Sequence, residues 1–105
     1  MDALPAVITD HLDEIRALCV KYHVKRLAVF GSAAKGTFDP ATSDVDFVVE
    51  FQPERKREFG TYFGLVQDLQ DLLGRSVDLV ERKAVKNPYF LKVLELSERP
   101  LYDAA

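Results

Sequence analysis

Two short stretches of this chain carry residue types that could do chemistry together. Gly31-Ser32 closes an apolar run, Leu27 to Phe30, and Asp44-Val45-Asp46 opens another, Val45 to Phe51, with the eleven residues Ala33 to Ser43 between them. Aspartates one residue apart at the mouth of a strand point to the same face, about 6.5–7 Å apart at Cα. Carboxylates that close repel unless something positive lies between them. An all-oxygen set of this kind suits Mg²⁺, which keeps several waters and is completed by substrate phosphates. Two such ions can polarise an α-phosphate, activate the attacking oxygen and neutralise the leaving pyrophosphate. Gly31 lets the backbone come close to a phosphate, and Ser32 offers a hydroxyl and an N–H where a helical segment begins. Lys35, one turn further on, can reach the β- and γ-phosphates as a point charge. Asp78, between Val77 and Leu79, is a third carboxylate. If its strand lies beside that of Asp44 and Asp46, it joins the same cluster, where it can bridge a metal and take the proton from an acceptor hydroxyl. These are the parts that nucleotidyl transfer needs.

The elements that must position these residues are legible in the pattern. Leu4, Ile8, Leu12, Ile15, Cys19 and Tyr22 recur at steps of three and four, which predicts one helix over 4–22. Lys25 to Phe30 reads as a strand; Leu27, Ala28, Val29 and Phe30 run apolar without alternation, as a strand buried on both faces does. Ala33 to Lys35 reads as a helical turn ended by Gly36, and Thr37 to Ser43, with Asp39 and Pro40, as a loop. Val45 to Phe51 is β-branched and aromatic, hence a second strand. A helix over about Glu54 to Leu73 follows, with Phe59, Phe63, Val66, Leu69 (or Gln70) and Leu73 on its apolar face and Gly74 as its stop. Ser76 to Val80 reads as a third strand, and Asn87-Pro88 as the capped start of a last helix to about Leu96. Arg99 to Tyr102 suits a closing edge strand, where Pro100 is tolerated. The expected fold class is α/β (α+β): a single domain over 1–105 with a small mixed β-sheet flanked by helices.

Composition narrows the function classes. The chain has 105 residues, 48% of them hydrophobic, enough for a real core. A net charge of −3 argues against a general nucleic-acid-binding surface, and the basic clusters at Lys21 to Arg26, Arg55 to Arg57 and Arg82 to Lys86 read as solvated. Cys19 is the single cysteine, so no intrachain disulfide is available, and its helical position reads as core. No signal sequence or membrane span is evident, so the expected location is the cytoplasm. His11 and His23 have no ligand-spaced companion.

Taken in order, strand, Gly-Ser, helical turn, loop, Asp-x-Asp strand and later Asp strand resemble the minimal nucleotidyltransferases, the smallest members of the polymerase-beta-like superfamily. The resemblance covers nearly the whole chain. The family's Gly-Ser matches Gly31 and Ser32, its Asp-x-Asp pair Asp44 and Asp46, and its third carboxylate Asp78. The resemblance implies the polymerase-beta-like fold, two Mg²⁺ ions as cofactor, and transfer of a nucleoside monophosphate, usually from ATP, onto a hydroxyl. It also implies a role as the antitoxin of a type VII-like toxin–antitoxin module, with a small helical HEPN toxin as partner and a tyrosine of that toxin as acceptor. Two departures stand out. The spacing from Ser32 to Asp44 is one residue longer than usual, which a loop absorbs at little cost. Lys35 stands where arginine is common and keeps the charge without the bidentate fork.

A second reading belongs to a different class: a catalytically weak or inactive module that neutralises a toxin by binding alone. On that reading Tyr62 and Tyr89 are the better contact candidates, since aromatics with a polar tip favour interfaces, while Phe59 and Phe63 are expected in the core. A third, a transferase for a small aminoglycoside-like hydroxyl compound, needs an acceptor pocket for which so short a chain offers no sequence. Homo- and hetero-oligomers are both left open.

Overall fold

The two apolar runs that flank the Gly-Ser turn become neighbouring strands in a four-stranded sheet of order β3-β2-β1-β4. The structure is a computed structural model; it describes residues 4–35, 39, 44–53 and 59–104, without the side chains of Lys35 and Phe59. The expected loop over 37–43 and the start of the long helix at 54–58 lie largely or wholly outside the described residues. Along the chain come α1 (Ala6–Thr9), α2 (Leu12–Lys21), β1 (Val24–Phe30), α3 (Ser32–Lys35), β2 (Val45–Phe51), α4 (Phe59–Leu73), β3 (Val77–Glu81), a single 3₁₀ turn (Arg82–Ala84), α5 (Pro88–Ser97) and β4 (Arg99–Asp103). β1 runs antiparallel to both β2 and β4, whereas β2 and β3 are parallel, so the sheet is mixed.

Side chains alternate between the two faces of each strand. Leu27 and Val29 of β1, Val45, Phe47 and Val49 of β2, and Val77 and Leu79 of β3 join one large buried cluster with Ile8, Ile15 and Cys19 of α1–α2 and Leu65, Leu69 and Leu73 of α4. Ala28 and Val48 face the other way and are covered by Leu94 of α5. The non-alternating runs in β1 and β2 thus reflect burial on both faces. Burial pushes the Cys19 thiol up to about 12, so it stays protonated and behaves as core.

Three details depart from expectation. The single helix over 4–22 is two: Asp10 and His11 form a turn between α1 and α2, with the His11 amide bonded to Ile8 rather than to Val7. Thr9 and Asp10 have side chains that compete with the helical ladder, which favours a break there. The inward stripe of α4 is Leu65, Leu69 and Leu73 rather than one through Phe63, so Phe63 is 55% exposed and Tyr62 is half-buried. The Tyr62 hydroxyl donates to the Leu79 carbonyl, and Gln70 Oε1 accepts from the Val77 amide at 3.3 Å. Two side chains of α4 therefore satisfy outward backbone groups of the outer strand β3, which would otherwise be open for pairing. Finally, Arg82 is not a solvated charge. It is half-buried, pairs with Glu50 at 3.1 Å and with Glu98, and ties the end of β3 to the approach to β4.

Gly74 (φ +66) ends α4, its amide bonded to the Gln70 carbonyl at 2.8 Å. Asn87 caps α5, its side chain accepting from the amides of Tyr89 at 2.8 Å and Phe90 at 3.3 Å. Among the described residues no helix is long and apolar enough to cross a membrane.

Candidate active site

The parallel register of β2 and β3 sets Asp46 directly opposite Asp78, and the antiparallel register of β1 and β2 sets Phe30 opposite Asp46. The three residues form a row across three strands. That row lies on the face of Ala28, Val48 and α5, because Asp46 and Asp78 alternate with core residues that point the other way. Asp46 and Asp78 are within hydrogen-bonding reach of each other. Burial first, then the hydrogen bond to Asp78, then the charges of Asp78 and Asp44, push the Asp46 carboxyl up to about 6. Two carboxyls this close share a proton when nothing positive lies between them.

Gly31 follows Phe30 and sits over this pair with φ +67. A Cβ built on Gly31 would stand 2.3 Å from Asp46 Oδ2, a separation real atoms do not tolerate. Glycine is needed there twice, for the left-handed backbone and for the room that Asp46 occupies. Ser32, half-buried, is the first residue of α3, whose Ala33 and Ala34 are small enough to be buried against the sheet. Lys35 ends α3; its side chain lies outside the described residues.

Of the three carboxylates expected to cluster, Asp46 and Asp78 meet. Asp44 lies one residue before β2, exposed, and acts on Asp46 through its charge. Among the described residues no group of three or more His, Cys, Asp or Glu side chains converges on one metal position. The donor chemistry nevertheless fits a hard cation that needs few protein ligands. Mg²⁺ typically takes one or two carboxylates and completes its shell with water and phosphate oxygens, and the Asp46–Asp78 pair, with Asp44 at its edge, supplies them.

A cleft of about 500 Å³ adjoins the pair, lined by Phe30, Asp46 and Asp78 together with Tyr62, Phe63 and Val66 of α4 and residues of β3. Tyr62 and Phe63 meet edge to face at 5.3 Å between ring centres. Burial, and then the charges of Glu81 and Asp78, raise the pKa of the Tyr62 hydroxyl. The sequence pattern offered Tyr62 as a contact for a partner and Phe63 as core, not as walls of this cleft. The one signal for Phe30 was its place immediately before Gly31.

A mixed sheet with paired aspartates beside a Gly-Ser turn defines a nucleotidyl-transfer domain, and residues 12–102 match the family described as the nucleotidyltransferase domain, to which this chain belongs. Within that family it is similar to a protein of Methanocaldococcus jannaschii named "Putative protein adenylyltransferase", 41% identical over 75 residues that cover 71% of this chain and 74% of the relative. A solved structure described as a "putative minimal nucleotidyltransferase" superimposes with a TM-score of 0.76 at 27% identity, covering 89% of this chain and 91% of that one. The fold is also shared, at 17% identity and a TM-score of 0.65, with a solved complex described as a tri-AMPylated Shewanella oneidensis HEPN toxin with an MNT antitoxin; 91% of this chain and 72% of that one are covered.

The geometry generates two expectations. Gly31→Ala should leave the helical and sheet content intact by circular dichroism but abolish nucleotidyl transfer, because the new methyl displaces Asp46; an active Gly31→Ala protein would contradict the close approach. The folded pKa of Asp46, about 6, lies above the ordinary aspartate value of 3.8. The metal-free protein therefore gains stability from the Asp46 proton that is fully present below about pH 4 and lost as pH rises through about 6. In thermal melts with EDTA, the Tm of the wild type relative to Asp46→Asn should fall between those pH values; a difference independent of pH would contradict the shared proton.

Proposed function

We propose that the chain, acting as one domain over 1–105, transfers AMP from ATP to the hydroxyl of a protein, in a Mg²⁺-dependent reaction. The acceptor we favour is a tyrosine of a small helical HEPN-type toxin, so that the protein serves in the cytoplasm as the antitoxin of a type VII-like module. The observation that carries the reading is Asp46 set opposite Asp78 with Gly31 pressed against it, in a chain of the nucleotidyltransferase family. The protein named as an adenylyltransferase and the AMPylated toxin complex of the same fold support the choice of AMP and of a protein acceptor.

In this reading Asp46 and Asp78, with Asp44 beside them, would hold Mg²⁺. When bound, the cation neutralises the carboxylates and lowers the charge that develops on the phosphates. Gly31 and Ser32 present backbone and hydroxyl to the triphosphate, and Lys35 meets its outer phosphates as a point charge. Asp78, exposed at the mouth of β3, receives the proton of the acceptor hydroxyl. The acceptor oxygen then bonds to the α-phosphorus as the bond to the β-phosphate oxygen breaks, and pyrophosphate leaves. Phe30 on one side and Tyr62 and Phe63 on the other bound the adjoining cleft with apolar rings, which narrow access of water to the transferring group.

One observation favours the second reading, neutralisation by binding alone: Asp44 stands outside β2 and does not converge with the other two carboxylates. Intact-mass spectrometry separates the two. The chain incubated with the product of its neighbouring gene, ATP and Mg²⁺ should add one or more AMP units to that protein. Asp46→Asn and Asp78→Asn should each lower the rate by about 100-fold or more, the range in which a lost electrostatic or proton-transfer group acts. A stable complex with no added mass would move the function to binding.

A further inference from the structure

Among the described residues, four of the six exposed large hydrophobics lie on α5, while Val20 stands on α2 and Phe63 on α4. Tyr89 is 83% exposed, Val93 50% and Leu96 77%. They recur at steps of four and three along α5, so they share one side of that helix. Single exposed apolar residues are ordinary, but a contiguous stripe on one element marks a surface that something covers.

The stripe is continuous with the carboxylate pair. Phe90, the next residue after Tyr89, meets Phe30 edge to face at 6.0 Å between ring centres, and Phe30 lies opposite Asp46 in the sheet. A body seated on α5 is therefore one aromatic contact away from the row that carries Asp46 and Asp78. The exposed charges beside the stripe are net positive: Lys83 and Lys86 in the segment leading into α5 and Lys92 on the helix, against Glu95. None of the three lysines makes an ion pair among the described residues, while the chain as a whole carries a net charge of −3. A second copy seated on the same face about a two-fold axis would set one net positive rim against another.

We propose that the outer side of α5 is the docking surface for the acceptor protein, and that its occupant is an apolar helix face bordered by acidic residues. This rests on the adenylyl-transfer reading above and deepens it: the protein that covers Tyr89, Val93 and Leu96 is the one whose hydroxyl reaches the Asp46–Asp78 pair. The Asn87 cap fixes the first turn of α5, so the stripe is presented on a rigid element.

The test uses the purified chain and the product of its neighbouring gene, with calorimetric titration and intact-mass kinetics read on the same samples. The double variant Val93→Glu/Leu96→Glu, whose side chains are outside the core, should keep its Tm and weaken binding by about 30-fold or more, the scale of a lost central anchor. Its AMP transfer should show a raised KM with kcat retained. Val20→Glu, exposed on α2 across the sheet, should change neither quantity. Lys83→Glu/Lys86→Glu/Lys92→Glu should slow association and flatten its salt dependence. Asp46→Asn should bind as tightly as the wild type and transfer AMP at least about 100-fold more slowly. Wild-type binding and transfer by the α5 double variant would overturn the docking surface and leave the catalytic reading standing. A wild-type dimer that the double variant converts to monomer would also overturn it, giving the face to a second copy. Transfer by Asp46→Asn at the wild-type rate would instead defeat the catalytic reading.

Discussion

Two carboxylates held opposite each other on one face of a sheet are the constraint around which this small domain is arranged. In the absence of a cation, Asp46 and Asp78 repel or share a proton, and burial of Asp46 raises the penalty for charging it. The surrounding structure must hold them together regardless. The parallel β2–β3 register does so from below, through strands whose opposite sides are sunk in the large core. A single-residue slip of either strand would turn its aspartate into that core and its valines or leucines out.

The parallel register is itself maintained from several directions. The connection through α4 returns the chain so that β3 can run parallel to β2, and Leu65, Leu69 and Leu73 fasten that helix to the sheet. Tyr62 and Gln70 then reach from α4 to the outer backbone groups of β3. At the far end, Arg82 bridges Glu50 and Glu98, so the strand bearing Asp78 is tied to β2 and to the chain between α5 and β4. Removing one partner of such a half-buried network strands the others and is costly. Among the described residues the end of Asp44 and Gly31 has fewer such ties: Asp44 is exposed and Gly31 carries no side chain.

Much of this was legible in the sequence because the informative residues sit at element boundaries. Gly31, Ser32, Asp44 and Asp46 mark where strands end and begin, and β2 has the bounds its composition predicts. Asn87-Pro88 and Gly74 cap and stop their helices as their side-chain chemistry dictates. What a single sequence does not carry is pairing. That β3 lies beside β2, and so brings Asp78 to Asp46, was conditional until the sheet order was known. The face of α4 was misread for a related reason. Phe63 and Leu69 both fit a helical period, and only the position of the helix over β2 and β3 decides that Leu65 goes inward while Phe63 lines a cleft. Arg82 was read as a solvated charge because its partners, Glu50 and Glu98, are distant in sequence. Asp44 shares the strand parity of Asp46 but lies outside the strand, where alternation no longer governs its direction.

The claim on which the account turns is that the Asp46–Asp78 pair is a seat for a cation carrying a nucleotide. Isothermal titration of ATP into the purified chain tests it most directly, with and without Mg²⁺ and against Asp46→Asn. The account predicts binding that requires Mg²⁺ and is lost in the variant. Equal affinity without Mg²⁺, or in Asp46→Asn, would contradict it.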